Sequence, residues 1–336
     1  MVTRFVLVAF VVAVVFVPGP ALADPAVPTN YRSEVERISP GDAGTATIVG
    51  GDAFIDFEAA AGTEVVVLGY DGEPYLRFAP DGTVWENQRS PAAYLNGDRY
   101  GRVGAFPGDV DPDAEPRWVP VADERRWAWH DHRTHWMLPT PPSIVTDRAG
   151  APVTVFDWSI PIVVDGDEGR IDGLLRWLPS VSPLPALAVA GFVALALLPA
   201  ARRHGAVVLT GAASLATILG MGRYLVQPPE GGGAGVDLVA PALALVVAGI
   251  ALARRRLPTG HWYLLPALAA VAVWSLGRLP VATAPILPSV LPAAVDRFGT
   301  AAVWGAAMAV VAGFRAEGPR AGTGSGPTID PGGAAA

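Results

Sequence analysis

The pattern of apolar and polar positions changes three times along the chain. Residues Phe5 to Val17 are an unbroken apolar run behind one early arginine, Arg4, and the run ends in the helix-breaking Pro18-Gly19-Pro20. Ala21-Leu22-Ala23 before Asp24 is an A-x-A cleavage pattern, so residues 1–23 are expected to be a secretory signal peptide. An uncleaved anchor helix is the alternative, disfavoured because a membrane span usually needs ~20 apolar residues.

From Asp24 to Leu178 the pattern is that of a turn-rich soluble domain. The runs TATIVG, AFIDFEA, TEVVVLGY and YLRFA are separated by the turn dipeptides Gly51-Asp52, Asp71-Gly72 and Asp81-Gly82. Short period-two segments at this spacing predict an antiparallel β domain of sandwich or barrel type. Later, PVTVFDWSIPIVVDGDEGRIDGLLRWLP adds two or three strands around an Asp165-Gly166 turn. Residues 90–120 read as loop, because PGDVDPDAEP is too acidic and proline-rich for regular structure.

Beyond Leu178 the chain turns apolar. Five candidate spans follow, Val181 to Ala200, Ala206 to Val226, Val236 to Ala253, Trp262 to Leu276 and Phe298 to Phe314. With the β domain exported, Arg202-Arg203, Arg254-Arg255-Arg256 and the tail arginines Arg315 and Arg320 all fall on the cytoplasmic side, as the positive-inside rule requires. LPVATAPILPSVLPAAVD carries four prolines, each costing roughly 3 kcal/mol inside a helix. It therefore reads as an outer loop packed on the helices, and a sixth span is the alternative. The expected organisation is a signal peptide at 1–23, an extracytoplasmic β domain at 24–178, a transmembrane region at 179–315 and a disordered cytoplasmic tail at 316–336. The fold class expected is an all-β, sandwich-like extracytoplasmic domain followed by an α-helical transmembrane bundle.

Composition supports this division. Of 336 residues 51% are apolar and 16% charged, too greasy a balance for an ordinary soluble protein. Residues 24–178 carry 26 acidic residues against 13 arginines, a net of −13, whereas residues 179–336 carry 5 against 10, a net of +5. The acidic head argues against nucleic acid as a partner and leaves the lipid bilayer, a metal ion or another envelope protein. There is no cysteine, so disulfides, thiolate metal sites and cysteine nucleophiles are excluded. No lysine occurs, and Ala, Gly and Pro abound, as in proteins of high-GC genomes.

The densest chemistry is WAWHDHRTHWM, Trp127 to Met137, which holds three of the five histidines. If residues 127–133 are a strand, His130 and His132 share one face with Ala128. On a helix the two would diverge by about 200°. His135 completes a three-histidine set if the chain curls after Arg133. His130, His132 and His135 are thus candidate ligands for a divalent metal such as copper or zinc, through imidazole nitrogens at ~2.0–2.1 Å. The competing reading makes them core residues whose hydrogen bonds tie down the surrounding loops. A second cluster, Gly72 to Gly101, is dense in Tyr, Asn and Arg and reads either as a ligand groove or as a loop layer pinned by side-chain hydrogen bonds. Neither G-x-S-x-G nor H-E-x-x-H, P-loop or EF-hand patterns occur, so an enzyme reading has no motif beneath it. The apolar spans hold few polar residues beyond Thr210, Ser214, Thr217 and Ser275, with Arg223, Arg278 and His261 at their edges, and anchoring is the role they suggest. Small residues such as Gly211, Ala212 and Ala213 would allow close helix packing.

The order EVVVLGYDGEPYLRFAPDGTVWENQRSPAAYLN, WAWHDHRTHWM, DWSIPIVVDG and then a multi-span region resembles a family of uncharacterised exported membrane proteins of actinobacteria. The resemblance implies location and topology and carries no activity. The W-x-I-P and VDG strands are also similar, over about thirty residues, to those of CopC-type periplasmic copper-binding β-sandwiches. That likeness implies only a histidine-rich site on an exported sandwich.

Overall fold

The computed structural model describes residues 24–148, 150–229, 235–253 and 264–314. The expected signal peptide, the expected tail at 316–336 and His261 lie outside the described residues.

The N-terminal part is antiparallel β-sheet. Ten strands form it: β1 Tyr31–Ser39, β2 Gly44–Val49, β3 Phe54–Ala59, β4 Val65–Leu68, β5 Pro74–Phe78, β6 Val84–Asn87, β7 Trp118–Ala122, β8 Arg126–Trp129, β9 Val153–Val164 and β10 Asp167–Trp177. Seven make one sheet in the order β1-β10-β9-β4-β5-β6-β7, and three make another, β2-β3-β8. Alternation explains β9: Trp158, Ile160, Ile162 and Val164 are buried while Ser159 and Pro161 face out. The Asp165-Gly166 turn joins β9 to β10 with φ of 50° and 93° and pairs Val164 with Asp167, the two-residue hairpin that the dipeptide predicts. Ile55, Phe57 and Trp129 from the small sheet pack with Val65, Leu76, Ile160 and Leu175 from the large one, so the two sheets share a core.

One expectation fails here. β8 ends at Trp129, so His130 and His132 do not share a strand face. Asp131 ends the strand by drawing the chain into a turn, with the amide and hydroxyl of Thr134 donating to its carbonyl at 3.0 and 2.9 Å.

Among the described residues four α-helices follow: α1 Leu184–Tyr224, α2 Gly235–Ala253, α3 Leu265–Gly277 and α4 Ala293–Gly313. Of these α1 and α4 are long and apolar enough to cross a membrane, and the apolar stretches of α2 and α3 are shorter. A straight α1 would separate Ala190 from Leu219 by ~43 Å at 1.5 Å per residue. Yet Gly305 of α4 lies against Ala190 and Val193, while Gly299, only about 9 Å away along the same helix, lies against Leu219. Such packing requires α1 to fold back on itself, and the fold is at His204, the one residue of α1 with non-helical angles, φ −139° and ψ 45°. The sequence places the break between spans at the same Arg202-Arg203-His204. α4 begins at Ala293, five residues before the Phe298 expected, and absorbs the end of the proline-rich segment. Close helix packing occurs at Gly305, Gly220 and Gly313; Gly211, expected to pack closely, faces open space.

At Gly305 a Cβ would lie 2.4 Å from the Ala190 carbonyl oxygen and 2.8 Å from Val193 Cβ. Gly305→Val is therefore expected to lower the thermal midpoint of the full chain in detergent by the equivalent of ~1–3 kcal/mol. Gly249→Ala, made into open space on α2, should leave the midpoint unchanged or raise it.

The head and the helices meet through ordered backbone. The Thr29 amide donates to Ile286 and receives a bond in return, the Val181 amide donates to Thr283, and the Leu178 amide donates to Asn30. Residues Asp24 to Ala26 form a strap across this seam. Ala26, buried against Ala53, Phe54 and Ala128, donates its amide to Gln227 Oε1 at 2.9 Å. Its carbonyl accepts from Gln227 Nε2 at 3.1 Å and from Arg223 Nη2 at 3.2 Å.

Candidate functional site

The segment after β8 is organised by Asp131, which is fully buried. Arg133 meets it with both ends of the guanidinium, Nε to Oδ1 at 2.8 Å and Nη2 to Oδ2 at 2.7 Å, and Trp129 Nε1 donates to Oδ2 at 3.0 Å. Burial alone would raise the Asp131 carboxyl, but the Arg133 charge and these hydrogen bonds outweigh it and hold it below the usual carboxylate range. Arg133 also donates to the Leu68 carbonyl at 3.2 and 3.1 Å and lies 5.0 Å over the Tyr70 ring. A charged pair so placed fixes the loop that carries the histidines.

Each histidine spends one ring nitrogen on a backbone carbonyl. His130 stacks on Phe54 at 4.2 Å, and its Nε2 donates to the Asp24 carbonyl at 2.8 Å. His132 stacks on Tyr70 at 5.6 Å, and its Nε2 donates to the Asp98 carbonyl at 3.0 Å. His135 Nδ1 donates to its neighbour's carbonyl, Trp136 O, at 3.3 Å. These donors fix the tautomers, because a carbonyl can only accept. The rings gather, with His135 at 5.5 Å from His132 and 6.4 Å from His130, both edge to face. His130 Nδ1 and His135 Nε2 are buried without a hydrogen-bond partner.

Burial, followed for His135 by the nearby Arg99 charge, favours the neutral imidazoles. It lowers His130 and pushes His135 down to about 3. Arg99 is itself held by the buried Asp52 at 2.5 Å. Thus the structure brings His130, His132 and His135 together, neutral side chains among them and a fixed guanidinium beside them. Among the described residues, no group of three or more His, Asp or Glu side chains is placed to hold a metal ion.

The Gly72 to Gly101 cluster is pinned by its own polar side chains. Asn87 Nδ2 donates to the Pro74 carbonyl at 2.8 Å, while its Oδ1 accepts from the Arg89 and Arg117 amides. The Tyr94 hydroxyl donates to the Gln88 carbonyl at 3.1 Å, and that of Tyr70 to Asn96 Oδ1. Ser90 donates to the buried Glu73. Apart from Asn96 Nδ2, which is buried without a hydrogen-bond partner, the amides and hydroxyls named here spend their bonds within the loop layer.

A second polar cluster is not evident from the sequence, which places Arg223 and Arg278 at helix edges. Both are buried, at 3% and 0% exposure. Arg223 pairs with Asp237 at 2.9 Å, and Arg278 pairs with Asp296 at 2.5 Å while standing 3.6 Å from Asp237 and 5.0 Å over the Trp274 ring. The signal that could have found it is two lone acids, Asp237 and Asp296, beside apolar runs that also hold an arginine each. No protein family, curated protein or solved structure matches the chain.

Proposed function

We propose that this is an integral membrane protein whose acidic, sandwich-like head is held outside the cell by five crossing helices, and that the head is a structural or protein-interaction module of the envelope. The two halves of α1 together with α2, α3 and α4 supply the five crossings. The fold of α1 at Arg202 to His204 lies at the end of the first hairpin away from the head, so on this reading Arg202 and Arg203 face the cytoplasm. On this reading residues 1–23 are the export signal, and kinship to the actinobacterial family of exported membrane proteins accounts for the arrangement.

The observation that carries the role is the use of the imidazoles. His130 fastens the Asp24 carbonyl and His132 the Asp98 carbonyl, two segments far apart in sequence, so the cluster is a clasp that closes the loops of the head. The unpartnered nitrogens of His130 and His135 favour a second reading, a copper or zinc ion, since metal-bound imidazoles also give their other nitrogen to a carbonyl. It is the weaker one, because a third placed ligand is missing among the described residues and Arg99 puts a positive charge alongside.

Calorimetry separates the two. Titration of the full chain in detergent with Cu(II) or Zn(II) at micromolar concentration should give no stoichiometric binding. Tight binding that disappears in a His130→Ala/His132→Ala double variant would replace the clasp with the metal site. For topology, protease added to intact cells should remove the head and spare a tag fused to the C-terminus; the reverse result ends the reading.

A further inference from the structure

The charged quartet Arg223, Asp237, Arg278 and Asp296 is electrically balanced, but its hydrogen bonding is not. Arg223 Nε, Arg278 Nε and Nη1, and Asp296 Oδ2 are all buried without a hydrogen-bond partner. Three more such atoms continue the series deeper into the helices: Ser275 Oγ, Thr300 Oγ1 and Trp304 Nε1. Their positions follow from helix geometry. Arg278 and Asp296 bridge the end of α3 to the start of α4. Ser275 lies three residues before Arg278, and Thr300 lies four after Asp296, so each is one turn, ~5.4 Å, further from the head, on facing helices. Trp304 follows Thr300 after another turn.

Seven unmet polar atoms in one tract are costly where the surroundings are hydrocarbon. The partner they require must accept from guanidinium, indole and hydroxyl groups and also donate to the Asp296 carboxylate. An anion accepts only and would meet that carboxylate, and a cation would meet two arginines. Water does both, with about three hydrogen bonds per buried molecule. We propose that water fills a polar chamber between α3 and α4, entered beside Asp237 and reaching Ser275, Thr300 and Trp304. Asp237 is the most exposed of the four charges, at 20%, against 3% or less for the others. The helical region is then more than an anchor, since it holds buried solvent within the depth of the membrane.

The cysteine-free chain makes the test direct, because any introduced thiol is unique. Thr300→Cys and Ser275→Cys are nearly isosteric, and each tests the chamber from its own helix, so the failure of one to fold leaves the other. The thiolate attacks the thiosulfonate sulfur and expels sulfinate to leave a mixed disulfide, and the thiolate forms only in contact with water. In the full chain in membranes, a small impermeant thiosulfonate applied from the head side should modify both at least about tenfold faster than Ala267→Cys and Ala306→Cys, set in the dry core. Equal rates at all four positions would overturn the chamber. They would leave the clasp and the topology untouched, because those are read by calorimetry and protease.

Discussion

Arg278→Met is expected to destabilise the full chain by about 3–5 kcal/mol, more than the overpacking of Gly305→Val. The side chain is fully buried, and its removal strands Asp296 as a carboxylate with no charge partner. Arg223 does not relieve it, because its guanidinium is already paired with Asp237. The loss comes from the stranded charge more than from the pair itself, so removing both partners should recover most of it. Arg278→Met/Asp296→Leu should therefore melt well above Arg278→Met alone, close to the parent. Thermal unfolding in one detergent, read by loss of the monodisperse elution peak, gives all three midpoints. A double variant as unstable as the single one would show that the guanidinium acts through Trp274 or Arg223 and not through Asp296.

Acid should loosen the head first at its histidines. His135 titrates near 6.5 when unfolded and at about 3 in place, so the unfolded chain binds the proton that the folded one refuses. Its contribution is fully present above pH ~6.5 and is lost progressively as the pH falls toward 3, amounting to about 2 kcal/mol at pH 5. His130 shifts in the same direction and adds to the loss. Amide hydrogen exchange over residues 128–136, compared at pH 7 and pH 5 after correction for the intrinsic rate, should show protection falling there before it falls in β9 and β10. In His135→Gln the difference between the two pH values should shrink. An unchanged difference would mean that His135 does not control the acid response.

How far the chain announces its own structure depends on which force sets each part. Period-two alternation places the strands of the head, because burial on one face is a local property of β9 and β4. Asp165-Gly166 specifies its hairpin, because both residues tolerate positive φ. The break at Arg202 to His204 and the apolar runs around it mark the fold in α1. What stays hidden are the cross-chain pairings. Nothing near His130 says that Asp24, 106 residues earlier, will supply its carbonyl. The end of β8 is concealed because Asp131 reads as a strand residue until its carbonyl is seen closing a turn with Thr134. Likewise Arg223 and Arg278 resemble interfacial arginines until α2 and α4 bring Asp237 and Asp296 to them.

The strap from Asp24 to Ala26 gives the molecule a second mechanical connection. The head is joined covalently to α1 through Leu178 to Pro183, but it also holds Asp24 through His130, and Ala26 is bonded in turn to Gln227 and Arg223. A load applied to the head is therefore shared between a peptide linker and the far end of the first helical hairpin. A tug at the surface is felt at the charge pairs among the helices.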